Sequence, residues 1–156
     1  MLQTYLNKIN STLNSMVKTF DENYSVIFSD KFAVDLVNEI ITYALLVDSR
    51  NDKFYENFVS RFPCVKNFNL LLLSVLHEIG HLETQDEMEN DTEIRNTELD
   101  EETYFNLFNE KIATDYAGFW VQDNFEIAKK YNDEIEKVLF EMYEKVLTDW
   151  KKYGII

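Results

Sequence analysis

Hydrophobic positions recur at spacings of three and four along most of this chain, which predicts a run of helices. Leu2, Leu6, Ile9, Leu13, Met16, Val17 and Phe20 form one such stripe, an amphipathic helix from about residue 2 to 20. Tyr24 to Phe28, YSVIF, is short and rich in β-branched and aromatic residues, and reads as a strand. From Asp30 to Val47 two templates fit. Phe32, Leu36, Ile40, Tyr43 and Val47 suit a helix, while Ile41, Tyr43, Leu45 and Val47 suit strand alternation. Ser49-Arg50-Asn51-Asp52 is turn-like, and Pro63 ends whatever precedes it. Asn67 to Thr84 is apolar nearly all round over Leu70–Leu73, Val75, Leu76, Ile79 and Leu82, the mark of a buried helix. Tyr104, Phe105, Phe108, Ile112, Tyr116 and Phe119 predict a further helix from about 100 to 121. Ala128, Tyr131, Ile135, Val138, Met142, Val146 and Trp150 predict a last one from about 125 to 153.

Composition narrows the class. The chain has 156 residues, of which 46% are hydrophobic, and this is enough for one domain with a real core. Three Gly and one Pro favour long helices over a turn-rich all-β fold. A single cysteine, Cys64, rules out an internal disulfide and a cysteine-rich structural zinc site. The N-terminus lacks the apolar run of a secretory signal and no stretch is long enough to cross a bilayer, so a cytoplasmic protein with no membrane partner is expected. The net charge of −14 argues against nucleic acid as a partner. Glu83 to Glu102 holds ten acids against one base, Arg95, and so carries nine of the fourteen excess negative charges. Such a stretch reads as a solvated loop or exposed face.

The candidate chemistry lies on the buried helix. His77 and His81 are the only histidines, and they stand four apart, on one face, with about 6 Å of rise between them, so both can reach one metal ion. Buried imidazoles and a buried carboxylate each need a partner, since an unsatisfied polar group costs about 1–3 kcal/mol, and a shared ion satisfies them together. Glu78 follows the first histidine, where a carboxylate can act as general base. Two histidines do not complete a zinc site, and without a third the remaining ligand must be a carboxylate. Glu110 is the leading candidate, 29 residues beyond His81 on a returning helix, with Asp115 as the alternative. Ala113 and Ala117 lie on the side of Glu110, and small residues there facing Gly80 let two backbones approach closely.

His77-Glu78-Ile79-Gly80-His81 followed by Glu110, Ala113, Tyr116 and Ala117 resembles the gluzincin class of HExxH zinc metallopeptidases, specifically the compact ImmA/IrrE-like peptidases of bacteria, phages and mobile elements. The resemblance spans roughly residues 67 to 121. It implies an α+β, predominantly helical fold, a zincin-like core of packed helices with a small antiparallel sheet whose edge can pair with substrate backbone. On that ground the region before Pro63 is expected to hold a helix over about 30–38 and a hairpin across 41–47 and 53–58. The implied activity is hydrolysis of a protein or peptide substrate, with Zn2+ on His77, His81 and Glu110 and with Glu78 as base. The family usually carries Asn or Asp four residues after the ligand Glu, where this chain has Thr114. A non-catalytic zinc-stabilised binding or inhibitory module is the competing reading. An acidic mimic of DNA is a weaker one, because the charge is clustered.

Overall fold

The computed structural model describes residues 2–45, 49–87 and 107–154. Most of the acidic stretch, together with Val47, Tyr104 and Phe105, lies outside them. Among the described residues the fold is α+β and predominantly helical, with five α-helices and one three-stranded sheet. The first helix, α1 (Leu2–Lys18), buries Leu6, Ile9, Leu13, Met16 and Val17, the stripe its spacing predicts. Leu2 at its start, also part of that stripe, is 54% exposed.

Strands β1 (Ser25–Phe28), β2 (Ala33–Asp35) and β3 (Ile40–Tyr43) lie in the order β1-β3-β2. The sheet is mixed. β1 runs parallel to β3 with Val26 beside Ile41, and β2 runs antiparallel to it with Val34 beside Ile41. Val26, Ile41 and Tyr43 point into the core. The outer border of β1 is closed by a side chain of α1. Asn14 Oδ1 accepts from the Val26 N–H at 2.8 Å and Asn14 Nδ2 donates to the Val26 carbonyl, which occupies the backbone groups that would otherwise invite another strand.

The expected helix over 30–38 is absent, and the expected second hairpin arm at 53–58 is helical. Asp35 explains the first correction. Its Oδ1 accepts from the N–H groups of Val37 and Asn38, both at 3.0 Å, and this side-chain turn competes with helical hydrogen bonding. Glu39 then takes a left-handed φ of 57°, and the chain reverses into β3. The antiparallel hairpin exists, but one element earlier, as β2 and β3.

Helix α2 (Ser49–Arg61) explains the second correction. Phe54, Phe58 and Phe62 recur every four residues and form a row of rings, with centroids 5.7 and 6.2 Å apart. Phe62 continues the row to Phe119 at 5.0 Å. Pro63 opens a single 3-10 turn, Pro63–Val65, that ends the helix as expected.

Helix α3 (Leu70–Glu83) is the centre of the core, and Leu72, Leu73, Val75 and Ile79 are fully buried. Asn69 caps its start by accepting from the Leu71 N–H, and the Asn69 N–H is itself taken by Asn132 at 2.6 Å. Helix α4 (Phe108–Asp123) packs along α3 more extensively than any other pair of elements, and both β2 and β3 also pack on α3. The last helix, α5 (Phe125–Lys152), buries Ala128, Asn132, Ile135 and Val138 beside α1. Its second half departs from the predicted core stripe: Met142 and Val146 are half-buried and Trp150 is 44% exposed, because the core ends near Val138.

Candidate metal centre

Three donors converge where α3 meets α4. Nε2 of His77 lies 2.8 Å from Glu110 Oε2, and Nε2 of His81 lies 3.0 Å from the same oxygen. All three residues are buried, and among the described residues they are the one group of three or more His, Cys, Asp or Glu whose donor atoms come together, within 4.8 Å of one another. A tetrahedral ion with bonds of about 2.0–2.1 Å separates neighbouring ligand atoms by roughly 3.4 Å, so two imidazoles and one carboxylate at this spacing suit a Zn2+-like cation.

Close packing makes the convergence possible. A Cβ built on Gly80 would sit 2.2 Å from the Ala113 carbonyl oxygen and 2.9 Å from the Ala113 Cα, so the glycine is where the two backbones nearly touch. Ala113 and Ala117 are buried on the facing side of α4. Glu110 falls in the first turn of α4, where the helix dipole favours a negative charge. Burial acts to raise its pKa, but hydrogen bonds and charge from His77 and His81 outweigh burial and hold the carboxyl well below the ordinary carboxylate range. Glu110 is therefore ionised at neutral pH.

The surroundings orient the rings. Thr114 Oγ1 lies 3.0 Å from His77 Nδ1, and Thr114 is 4% exposed. Phe54 meets His77 edge-on, with centroids 5.1 Å apart and planes at 89°. His77 and His81 stack edge to face at 4.7 Å. Glu78, next to His77, is half-exposed and stands outside the three-donor group.

Asp115, the alternative third ligand, points elsewhere. It pairs with Arg61 at the end of α2. One residue of difference on a helix is about 100° of rotation, and five from Glu110 is about 140° away round α4, which turns Asp115 from the histidines to the α2 side. Phe54 and Gly118 also shape the site, and neither belongs to a motif. The four-residue repeat of Phe54, Phe58 and Phe62 is the signal that would have placed Phe54 on a helix facing the core. Gly118 receives the Phe62 ring, which lies 2.2 Å from where a Cβ would be.

Comparison of the chain with protein-family models, with curated proteins and with solved structures finds no match in any of the three.

Proposed function

We propose that this chain is a zinc-dependent peptidase of the gluzincin class, of the ImmA/IrrE-like kind, acting on a protein or peptide substrate. The observation that carries the reading is the convergence of His77, His81 and Glu110 from two helices, with Glu78 one residue away and outside the donor set. His77 and His81 would supply neutral imidazole nitrogens and Glu110 an anionic oxygen. When bound there, a Zn2+ ion supplies Lewis acidity that polarises a scissile carbonyl and acidifies a water. Glu78 accepts the proton of the attacking water and delivers it to the leaving amine. Among the described residues strand β2 pairs with β3 alone and packs on α3, the helix that carries both histidines, so its other edge is where an extended substrate would add.

Among the described residues no helix is long and apolar enough to cross a membrane. Cys64, the only cysteine, suits a reducing compartment, and a cytoplasmic location belongs to the proposal.

Metal analysis of the purified protein, combined with cleavage of a peptide library by wild type and by Glu78→Gln, tests the reading. A peptidase holds about one zinc per chain, retains it in Glu78→Gln and loses cleavage there. Zinc without cleavage in either protein transfers the site to a non-catalytic binding module. Absence of zinc removes the metal reading altogether.

A further inference from the structure

We propose that the second half of α5 is the seam of a homodimer, in which it lies antiparallel along the same helix of a second copy of this chain. The inference stands apart from the metal centre and from any catalytic role.

Helix α5 outruns the body of the molecule. Val138 is its last buried residue, and the helix continues to Lys152, about 21 Å further at 1.5 Å per residue. Over that length it carries two apolar stripes. Met142 and Val146 prolong the core stripe and are half-buried. Phe140, Tyr143, Leu147 and Trp150 form a second one, turned from the first by about a third of the helix circumference. Phe140 is 65% exposed, Tyr143 61% and Trp150 44%. Single apolar side chains on a surface are ordinary, but four large ones in a row mark a contact surface. Their spacings of three, four and three are those of the a and d positions in a coiled coil, so the surface fits another helix.

The residues beside the stripe identify that helix as a second α5. With a two-fold axis at the level of Lys145, Phe140 opposes the partner's Trp150 and Tyr143 opposes the partner's Leu147, and symmetry repeats both layers. On one border Glu144 then faces the partner's Lys151, and Lys151 faces the partner's Glu144, which gives two ion pairs of matching sign. On the other border Leu139 meets the partner's Val146, and the apolar strip widens. A parallel pair would instead set Leu139 beside a glutamate and Val146 beside a lysine, with no ion pair on either border. Among the described residues Glu144 and Lys151 enter no ion pair within the chain, whereas Lys145, pointing away from the seam, is paired with Asp149. Charge favours this segment in a second way. The whole chain carries −14, yet residues 137–152 hold four lysines against three acids, so two copies meet here without the repulsion that the rest of the surface would impose. The two bodies lie at opposite ends of the helix pair and do not collide.

The test is sedimentation velocity on the full chain over a dilution series up to about 500 µM. Wild type should move from the mass of one chain to twice that mass as concentration rises. Tyr143→Glu places a charge in the centre of the seam twice over and should weaken the dimer by about 100-fold. Glu144→Lys and Lys151→Glu should each weaken self-association by about 10-fold, because each turns both ion pairs into like-charge contacts. Mixed one to one, these two variants should recover the dimer, since every border pair then joins opposite signs. That recovery requires residue 144 to meet residue 151 across the seam, and only the antiparallel register does this. All the substituted side chains are solvent-facing, and a circular-dichroism melt of each variant verifies that it is folded. A wild type that stays monomeric throughout assigns the stripe to some other partner and overturns the inference. A dimer that Tyr143→Glu leaves intact, or a mixture of the two charge variants that associates no better than either alone, overturns it as well.

Discussion

Glu110 and Gly80 are the residues on which the centre depends, and each makes a separate prediction. Two hydrogen-bonded imidazoles keep the Glu110 carboxyl below its ordinary value of 4.5 against the opposing effect of burial. A group depressed on folding contributes stability that is complete above its unfolded pKa and is lost only as pH falls through the folded one. In chelator, Glu110→Gln should therefore be less stable by about 1–3 kcal/mol. That gap should stay constant from neutral pH down to the ordinary carboxylate range and close only in stronger acid. Urea midpoints of both proteins across that range check it, and a gap already closing at neutral pH would contradict the stated cause. At Gly80, alanine gains about 1 kcal/mol of helix propensity. Its Cβ meets backbone of Ala113, not the tip of a side chain that can swing aside. Gly80→Ala should be destabilised by roughly 3 kcal/mol net and should bind zinc more weakly, because relief of the clash separates His81 from Glu110. Thermal melts and zinc stoichiometry measure the two effects independently.

At the scale of elements, the entry of α3 is held by two asparagines from different parts of the chain. Asn69 accepts from Leu71, and Asn132 on α5 accepts from the Asn69 N–H. Asn69→Ala should cost about 1 kcal/mol, the usual value of a lost cap. Asn132→Ala should cost about 1–3 kcal/mol because it strands a part-buried donor. Chemical denaturation would show whether the remote residue is the costlier one. Asn132 falls within a stripe that reads as apolar, and so its role was invisible before the fold was known. By contrast α3 was legible, because its apolar run admits no exposed face. Glu110 was legible too, because Gly80, Ala113 and Ala117 are small where two helices must touch. The region before Pro63 misled for a local reason. Phe32, Leu36 and Ile40 form a helical-looking stripe, yet the Asp35 side chain captures the backbone that a helix would need. In α2, neighbouring Phe54 and Tyr55 imitate a strand, and only the longer repeat through Phe62 shows that the spacing is four.

The molecule as a whole carries a net charge of −14, so its parts repel one another at low ionic strength. Its melting temperature should rise as sodium chloride is raised through the range in which the screening length falls to about 10 Å or less. A scanning-fluorimetry series at fixed pH checks this, and a flat or falling trend would mean that the charges are already locally neutralised. The four rings from Phe119 through Phe62 and Phe58 to Phe54 run from the surface to His77. A ring wedged against such a series cannot rotate half a turn about its Cβ–Cγ bond unless its neighbours give way. Truncating Phe58, which touches none of the three donors, would let Phe54 shift and carry the disturbance to the imidazole it rests on.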